Sequence, residues 1–460
     1  MHEMVDITGG RLAAEMSHWP AGCSRKRVRR LWTDSRTVRR GDLFVALTGE
    51  RFDGHRFVAE ALRNGAVGAL VRHGFKLPGT ALLLTVDEPL RALQDLARAH
   101  RRRFDIPVIA VSGSNGKTTT KDMIAAILSE RFVTLKTEGN LNNHIGVPQT
   151  LLRLTARHEA AVIEMGISGP GELARLCEIT EPTHGVLTNI GPTHLEGLGD
   201  VRAVARAKGE MLDALPAEGM AVLNADDAFY DELSARAHGP VRSFGFSRKA
   251  DVRALRVETQ GPSSTTVRLA VRGRARPFSV SLAIGGAHNV ANALAAVAAA
   301  LAVSVGEGAI RAGLARYRPA TMRSEVSRRR GVTILNDCYN ANPASMRAAL
   351  RWVSESKGTG RAIAVLGDML ELGGATQQAH RDMGAEAARL DMDYLLTVGD
   401  LAAEIAQGAL NAGMPTNQVM MAKDHDAVSE RLRGLLRKGD VVLLKGSRGA
   451  RMECVLEKLG

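Results

Sequence analysis

Residues 106–128 read IPVIAVSGSNGKTTTKDMIAAIL, and this stretch decides the fold. Ile106 to Val111 is a short apolar run, and Met123, Ile124, Ile127 and Leu128 follow at helical spacing. Between them lies Gly113-Ser114-Asn115-Gly116-Lys117-Thr118-Thr119. A strand, a glycine-rich turn and a helix in that order predict a phosphate-binding loop. A phosphate chain needs backbone amides turned inward, which glycine permits at the tightest points, here Gly113 and Gly116, and the helix N-terminus adds partial positive charge. Lys117 is placed to pair with β- and γ-phosphate oxygens, and the Thr118 hydroxyl to coordinate magnesium. Ser114, Asn115 and Thr119 complete the expected nucleotide contacts. Only Ser114 and Asn115 separate the glycines, two residues fewer than in the common GxxxxGK[ST] pattern. The competing reading is an ordinary strand-to-helix connection.

Working outward, strand candidates at Ala160–Ile163, Gly185–Thr188 and Met220–Leu223 alternate with helical stretches, which predicts a parallel α/β sheet. Val241 to Ile284 changes to period-two alternation and is expected to be an antiparallel patch. Before residue 86, short apolar runs (Leu43–Leu47, Ala66–Val71, Ala81–Val86) and a helical stretch near Phe57–Leu62 read as a small α/β unit. From Tyr317 onward, strand candidates at Val332–Leu335, Ala362–Leu366, Tyr394–Val398 and Val441–Leu444 predict a second doubly wound domain. The expected organisation is α/β throughout, in three domains spanning 1–85, 86–316 and 317–460.

Composition narrows the function classes. The 460 residues exceed what one core accommodates. MHEMVDITGG lacks the basic-then-apolar order of a signal peptide, and the most apolar run, Ala293 to Val303, is too short to span a bilayer. A soluble cytoplasmic protein without membrane insertion is predicted. Four cysteines, Cys23, Cys177, Cys338 and Cys454, form no CxxC pair, so neither a zinc site nor a disulfide framework is expected. The net charge of +12 suits nucleic acid, an anionic membrane face or a phosphorylated substrate. The clusters Arg25–Arg30, Arg101–Arg103 and Arg328–Arg330 carry no interleaved aromatics, so they read as solvated faces and no nucleic-acid partner is expected.

Several residues stand out beyond the loop. Glu164 closes an apolar strand, at the sheet edge where α/β folds bind ligands, and is either a magnesium ligand or a solvated acid. Lys208 shares a helical stripe with Val201, Val204, Ala205, Met211, Leu212 and Leu215. It either snorkels to water or, if trapped, loses its charge and can react with carbon dioxide to give a carbamate. His194 follows a strand end and either binds metal or faces water. Asn289 and Asn292 stand in a segment that precedes a long alanine-rich helix, where they either read an adenine edge or cap the helix. Asp337 follows a strand, just before Asn340 and Asn342. Arg323 reaches a γ-phosphate only if two domains close on the nucleotide.

These segments in this order resemble the Mur ligases, ATP-dependent amide-bond-forming enzymes of peptidoglycan synthesis. GSNGKTT resembles the family's shortened phosphate loop, and AKGE at 207–210 is similar to the segment whose lysine is carbamylated. The resemblance implies Thr118, Glu164, His194 and carbamylated Lys208 as magnesium ligands and Asn289 and Asp337 as nucleotide contacts. It also makes Arg323 the phosphate-facing arginine. TDSR at 33–36, LFVALTGERFDGHRF at 43–57, GNLNNHIGVPQTLL at 139–152, YNANP at 339–343, GDMLELG at 367–373 and KGSRGARME at 445–453 resemble the members that add D-alanyl-D-alanine to UDP-N-acetylmuramoyl-tripeptide. On that resemblance, the tripeptide carboxylate attacks ATP to form an acyl phosphate, which the dipeptide amine displaces. Ser35 and Arg36 would hold the UDP end, and Asn142, Asn143, Asn340 and Asn342 would contact the peptide substrates. A monomer is expected. Met322, where many relatives have glycine, puts the local turn in doubt. Folylpolyglutamate synthase shares the ligation scheme, but the strings at 33–57 argue against it. A nucleotide-driven switch or nucleic-acid motor is disfavoured by the lack of an NKxD motif and the low aromatic content.

Overall fold

The computed structural model describes residues 2–13, 28–49, 52–77 and 81–459. Cys23, the Arg25 end of the first arginine cluster and part of the 43–57 string lie outside the described residues. The chain forms two compact units, the first built from residues 1–110, 133–166 and 172–183 and the second from 111–132, 167–171 and 184–460.

In the first unit a five-stranded sheet has the order Arg11–Ala13, Leu83–Val86, Gly68–Arg72, Asp42–Val45, Arg30–Trp32. All pairings are parallel except that of the Arg11–Ala13 edge. Successive side chains of a strand face opposite ways, so one face buries Leu43, Val45, Leu70 and Leu84 with Leu93 and Leu96 of the Pro89–Arg101 helix. The other buries Phe44, Ala46, Ala69 and Val71 with Val58 and Ala61 of the Val58–Arg63 helix. Burial on both faces is why these strands read as continuous apolar runs. Thr134–Lys136 and Ala160–Glu164 pair in parallel within the same unit.

In the second unit, His184–Leu187, Met220–Asn224 and Val241–Gly245 run parallel. Val252–Thr259, Thr265–Val271 and Phe278–Leu282 continue as an antiparallel meander. The expected antiparallel patch therefore begins later than Val241. The helix Tyr230–Arg236 supplies the crossover that makes Val241–Gly245 a parallel neighbour of Met220–Asn224, and alternating burial appears only from Thr265 on. The phosphate-loop helix Lys117–Leu128 packs against the helices Ala287–Ala302 and Glu307–Arg316. The Ala287–Ala302 helix is buried along most of its length, and its many alanines allow neighbouring backbones to approach.

The same unit holds a six-stranded sheet in the order Glu325–Arg329, Val332–Asp337, Val441–Lys445, Ala362–Leu366, Tyr394–Val398, Val419–Ala422. It is parallel except at the Glu325–Arg329 edge. Two strands were not legible in sequence. Val419–Ala422 is only partly buried, and Glu325–Arg329 belongs to an arginine cluster that reads as solvent-facing because it is an edge, where charge discourages further pairing. Met322 keeps the turn a glycine would make by adopting φ +60°, while its amide donates to Glu325 Oε2 at 3.0 Å. Among the described residues, no helix is long and apolar enough to cross a membrane.

Candidate active site

The phosphate loop is built as glycine spacing demands. Gly113 has φ +136° and Gly116 φ +80°, conformations that side chains resist. A Cβ on Gly113 would lie 2.0 Å from Thr188 Oγ1, and one on Gly116 2.2 Å from Asn292 Oδ1. The segment after the His184–Leu187 strand forms the floor. Ser114 N donates to Asn189 O at 2.8 Å, Asn115 N to Asn189 Oδ1 at 3.0 Å, and Thr188 Oγ1 to Asn115 O at 2.5 Å. Ser114 Oγ donates to Gly191 O at 3.0 Å. Lys117 begins the helix and folds its ammonium over the loop, donating to Gly113 O at 2.8 Å and Ser114 O at 3.2 Å. Thr118 is buried in the first turn, and the Thr119 side chain hydrogen-bonds Tyr317.

Lys208 does not snorkel. Asp200 caps the Val201–Asp213 helix by accepting from Ala203 N at 2.7 Å, and this phases Val204, Ala205, Lys208, Met211 and Leu212 onto the buried face. Lys208 is 1 % exposed. Burial, and then the nearby charge of Lys117, push its ammonium well below the ordinary lysine range. His194 stands in the same field. Burial, Lys117 and Lys208 lower its pKa, while Glu371 opposes them. His194 Nδ1 lies 2.8 Å from Glu371 Oε2. A site with two lysines and a histidine favours polyphosphate, and neutralising one lysine relieves the repulsion within it.

The remaining nucleotide candidates occupy defined positions. Asn289 and Asn292 are buried inside the Ala287–Ala302 helix, which Gly286 caps without a side-chain bond, so capping is not their role. Asn289 Nδ2 donates to Gly285 O at 2.8 Å. Asn292 joins the loop helix, accepting from Thr120 Oγ1 at 3.3 Å. Asp337 is ion-paired with buried Lys445 and accepts from Ser324 N at 2.8 Å. Burial works to raise its pKa, but Lys445 and the Ser324 amide outweigh it and hold the carboxyl below its usual range.

Two placements were not legible in the sequence. The Arg323 guanidinium stacks 3.7 Å from the centre of the Tyr339 ring, a cation–π contact. Asn342 is the N-cap of the Pro343–Ser356 helix, accepting from Ser345 N at 2.9 Å, and its Nδ2 donates to Asn115 Oδ1 at 2.7 Å. It therefore touches the phosphate loop through a side chain whose cap role was hidden in the string YNANP. Asn340 Oδ1 accepts from Ala341 N at 2.9 Å.

In the first unit, Glu164 ends the Ala160–Glu164 strand, buried, and Oε1 accepts from Asn142 Nδ2 at 2.8 Å. Asn143 Oδ1 accepts from Ile145 N and Gly146 N at 3.1 and 2.9 Å, turning the chain into the Gly146–Leu151 helix. Ser35 is buried, and Arg36 is exposed and paired with Asp34 at 2.9 Å. Sequence reasoning missed Asn189, Thr188, Lys445 and Glu371. The last two stand inside the strings KGSRGARME and GDMLELG, whereas Thr188, the last residue of a strand candidate, and Asn189 after it carried no further signal.

The donor chemistry fits a magnesium–nucleotide complex. Among the described residues no group of three or more His, Cys, Asp or Glu side chains gathers to hold a metal ion. Magnesium prefers hard oxygen donors, of which the Thr118 hydroxyl in the first turn of the loop helix is one.

Residues 27–101, 111–300 and 322–448 match the models for the Mur ligase family catalytic domain, the Mur ligase middle domain and the Mur ligase glutamate ligase domain. The chain is 35% identical over 429 residues to the UDP-N-acetylmuramoyl-tripeptide–D-alanyl-D-alanine ligase of Bacillus subtilis, covering 93% of this chain and 92% of that protein. It resembles the crystal structure of MurF from Acinetobacter baumannii with TM-score 0.91 at 34% identity, covering 100% and 98% of the two chains. It also resembles MurF from Thermotoga maritima in complex with ADP, with TM-score 0.83 at 29% identity over 94% and 97%.

Proposed function

The chain belongs to the Mur ligase family, and on that premise we propose that it joins D-alanyl-D-alanine to UDP-N-acetylmuramoyl-tripeptide. ATP is converted to ADP and phosphate, and the product is UDP-N-acetylmuramoyl-pentapeptide, a peptidoglycan precursor. The observation that carries this reading is the shortened phosphate loop with buried Lys208 in the field of Lys117.

An oxygen of the tripeptide carboxylate bonds to the γ-phosphorus, and ADP leaves. The dipeptide amine then adds to the acyl phosphate and expels phosphate. Two anions must meet in the first step, so the chain's task is neutralisation and alignment. Lys117 supplies a fixed positive charge, and the loop amides and helix N-terminus align the phosphates. Thr118, His194 and Lys208 are proposed magnesium ligands, Glu164 another. Magnesium, when bound, would polarise phosphoryl oxygens. With its pKa pushed down by burial, Lys208 Nζ would add to carbon dioxide as the neutral amine and lose a proton, giving an anionic carbamate whose oxygens would serve as donors. Asn289, Asn292 and Asp337 are proposed around the nucleotide. Arg323 leaves Tyr339 for the γ-phosphate as the segment 317–460 closes, excluding water from the acyl phosphate. Ser35 and Arg36 serve the UDP end, and Asn142, Asn143, Asn340 and Asn342 the peptide end. The proposed domains are 1–85, 86–316 and 317–460, in a cytoplasmic monomer.

Phosphate release from ATP with magnesium and bicarbonate is measured with each substrate alone and with both, and product mass is recorded. Release requiring both substrates, with a UDP-pentapeptide formed, is expected. Release indifferent to both, or stimulated by DNA, overturns the reading.

A further inference from the structure

The Gly367–Gly373 stretch is pinned residue by residue. Asp368 O accepts from Ser447 N at 2.8 Å, and its carboxylate accepts from Asp400 N and Leu401 N at 2.9 and 3.1 Å. Met369 N donates to Nε2 of fully buried His380 at 2.9 Å, and Leu370 N donates to Ser447 Oγ at 2.9 Å. The next residue, Glu371, takes φ +62°, and the residue it meets, His194, takes φ +53°. Both are non-glycine residues in the left-handed region, a conformation retained only where surrounding structure enforces it. Their meeting point is the contact between His194 Nδ1 and Glu371 Oε2 at 2.8 Å. An ionised carboxylate only accepts, so Nδ1 carries the proton, and in the neutral ring the lone pair is left on Nε2.

We propose that Glu371 is a positioning residue that fixes the tautomer and ring orientation of His194 so that Nε2 is presented to magnesium. This rests on the proposed role of His194 as a magnesium ligand. A carboxylate on the far nitrogen of a ligating histidine both holds the ring and raises its basicity. Because Glu371 stands in the segment matching the glutamate ligase domain and His194 in that matching the middle domain, ion affinity is tied to the seating of one on the other. The alternative is an incidental ion pair, since the two side chains are 61 % and 27 % exposed. An incidental pair does not account for two left-handed backbones or for a loop pinned at three successive residues.

The test uses the full chain labelled with 15N-histidine, at a pH where the ring is neutral, with His194→Gln to assign its resonances. Wild type is expected in the Nδ1–H form, and Glu371→Ala, which keeps a Cβ at the same φ, to shift toward Nε2–H. Mn2+ affinity measured by electron paramagnetic resonance with ADP present should fall about 10-fold in Glu371→Ala, with Glu371→Gln intermediate. The apparent KM for Mg2+ should rise by more than kcat falls. An unchanged tautomer or unchanged Mn2+ affinity in Glu371→Ala overturns the proposal. If His194→Gln binds Mn2+ as wild type does, this proposal falls while the ligase reading, judged by product formation, stands.

Discussion

Asn342 Nδ2 donates to Asn115 Oδ1 at 2.7 Å, so the residue that caps the Pro343–Ser356 helix also holds a side chain of the phosphate loop. One amide uses its oxygen for the helix and its nitrogen for the loop. The two roles can be separated by substitution because aspartate caps as well as asparagine but has no nitrogen to donate.

Asn342→Asp should therefore keep its thermal stability and raise the KM for ATP about fivefold, the worth of one neutral hydrogen bond. Asn342→Ala should lose about 1 kcal/mol of stability as well. Equal ATP KM values in Asn342→Asp and wild type, with both melts recorded, would show the loop contact to be idle.

Lys208→Ala should lose ligation, and short-chain carboxylates added to the assay should restore part of it by occupying the space of the carbamate. Wild-type protein stripped of bicarbonate should regain activity on its return. Mass spectrometry of the native protein with 13C-bicarbonate supplies the covalent readout, and a failure of both rescue and labelling removes the carbamate.

His288 is held to about 4 from an ordinary 6.5, by burial first and by Lys445, against the pull of Asp337. The unfolded chain thus takes up the proton first as pH falls. Stability contributed by the neutral folded ring is intact above 6.5 and is lost toward 4, up to about 3 kcal/mol. Urea melts of wild type and His288→Gln across that range should show a shallower pH slope in the variant. Parallel slopes would contradict the burial argument.

Two glycines of the Glu307–Arg316 helix should respond with opposite sign. Nothing lies within 4 Å of a Cβ on Gly308, so Gly308→Ala should stabilise by about 0.5–1 kcal/mol through helix propensity. A Cβ on Gly313 would lie 2.4 Å from Ile127 Cα, backbone of the phosphate-loop helix, so Gly313→Ala should lower the melting temperature and weaken ATP binding together. Calorimetry of both variants decides the matter; a shared sign would mean that the helix contact yields.

The phosphate loop, the parallel strands and the family were legible in sequence because each rests on short-range relations. Glycine placed where φ must be positive, apolar runs of strand length and a helix phased by its cap are all local choices. The stripe around Lys208 was equally visible, but its consequence was not. Whether a lysine on an apolar face escapes to water depends on what packs over it, and only the folded unit removed that route. The pairing of Glu371 with His194, the contact of Asn342 with Asn115 and the stacking of Arg323 on Tyr339 were likewise decided by tertiary structure. Hydrogen bonds and ring contacts act over a few ångströms, and sequence order alone does not say which distant residues come that close.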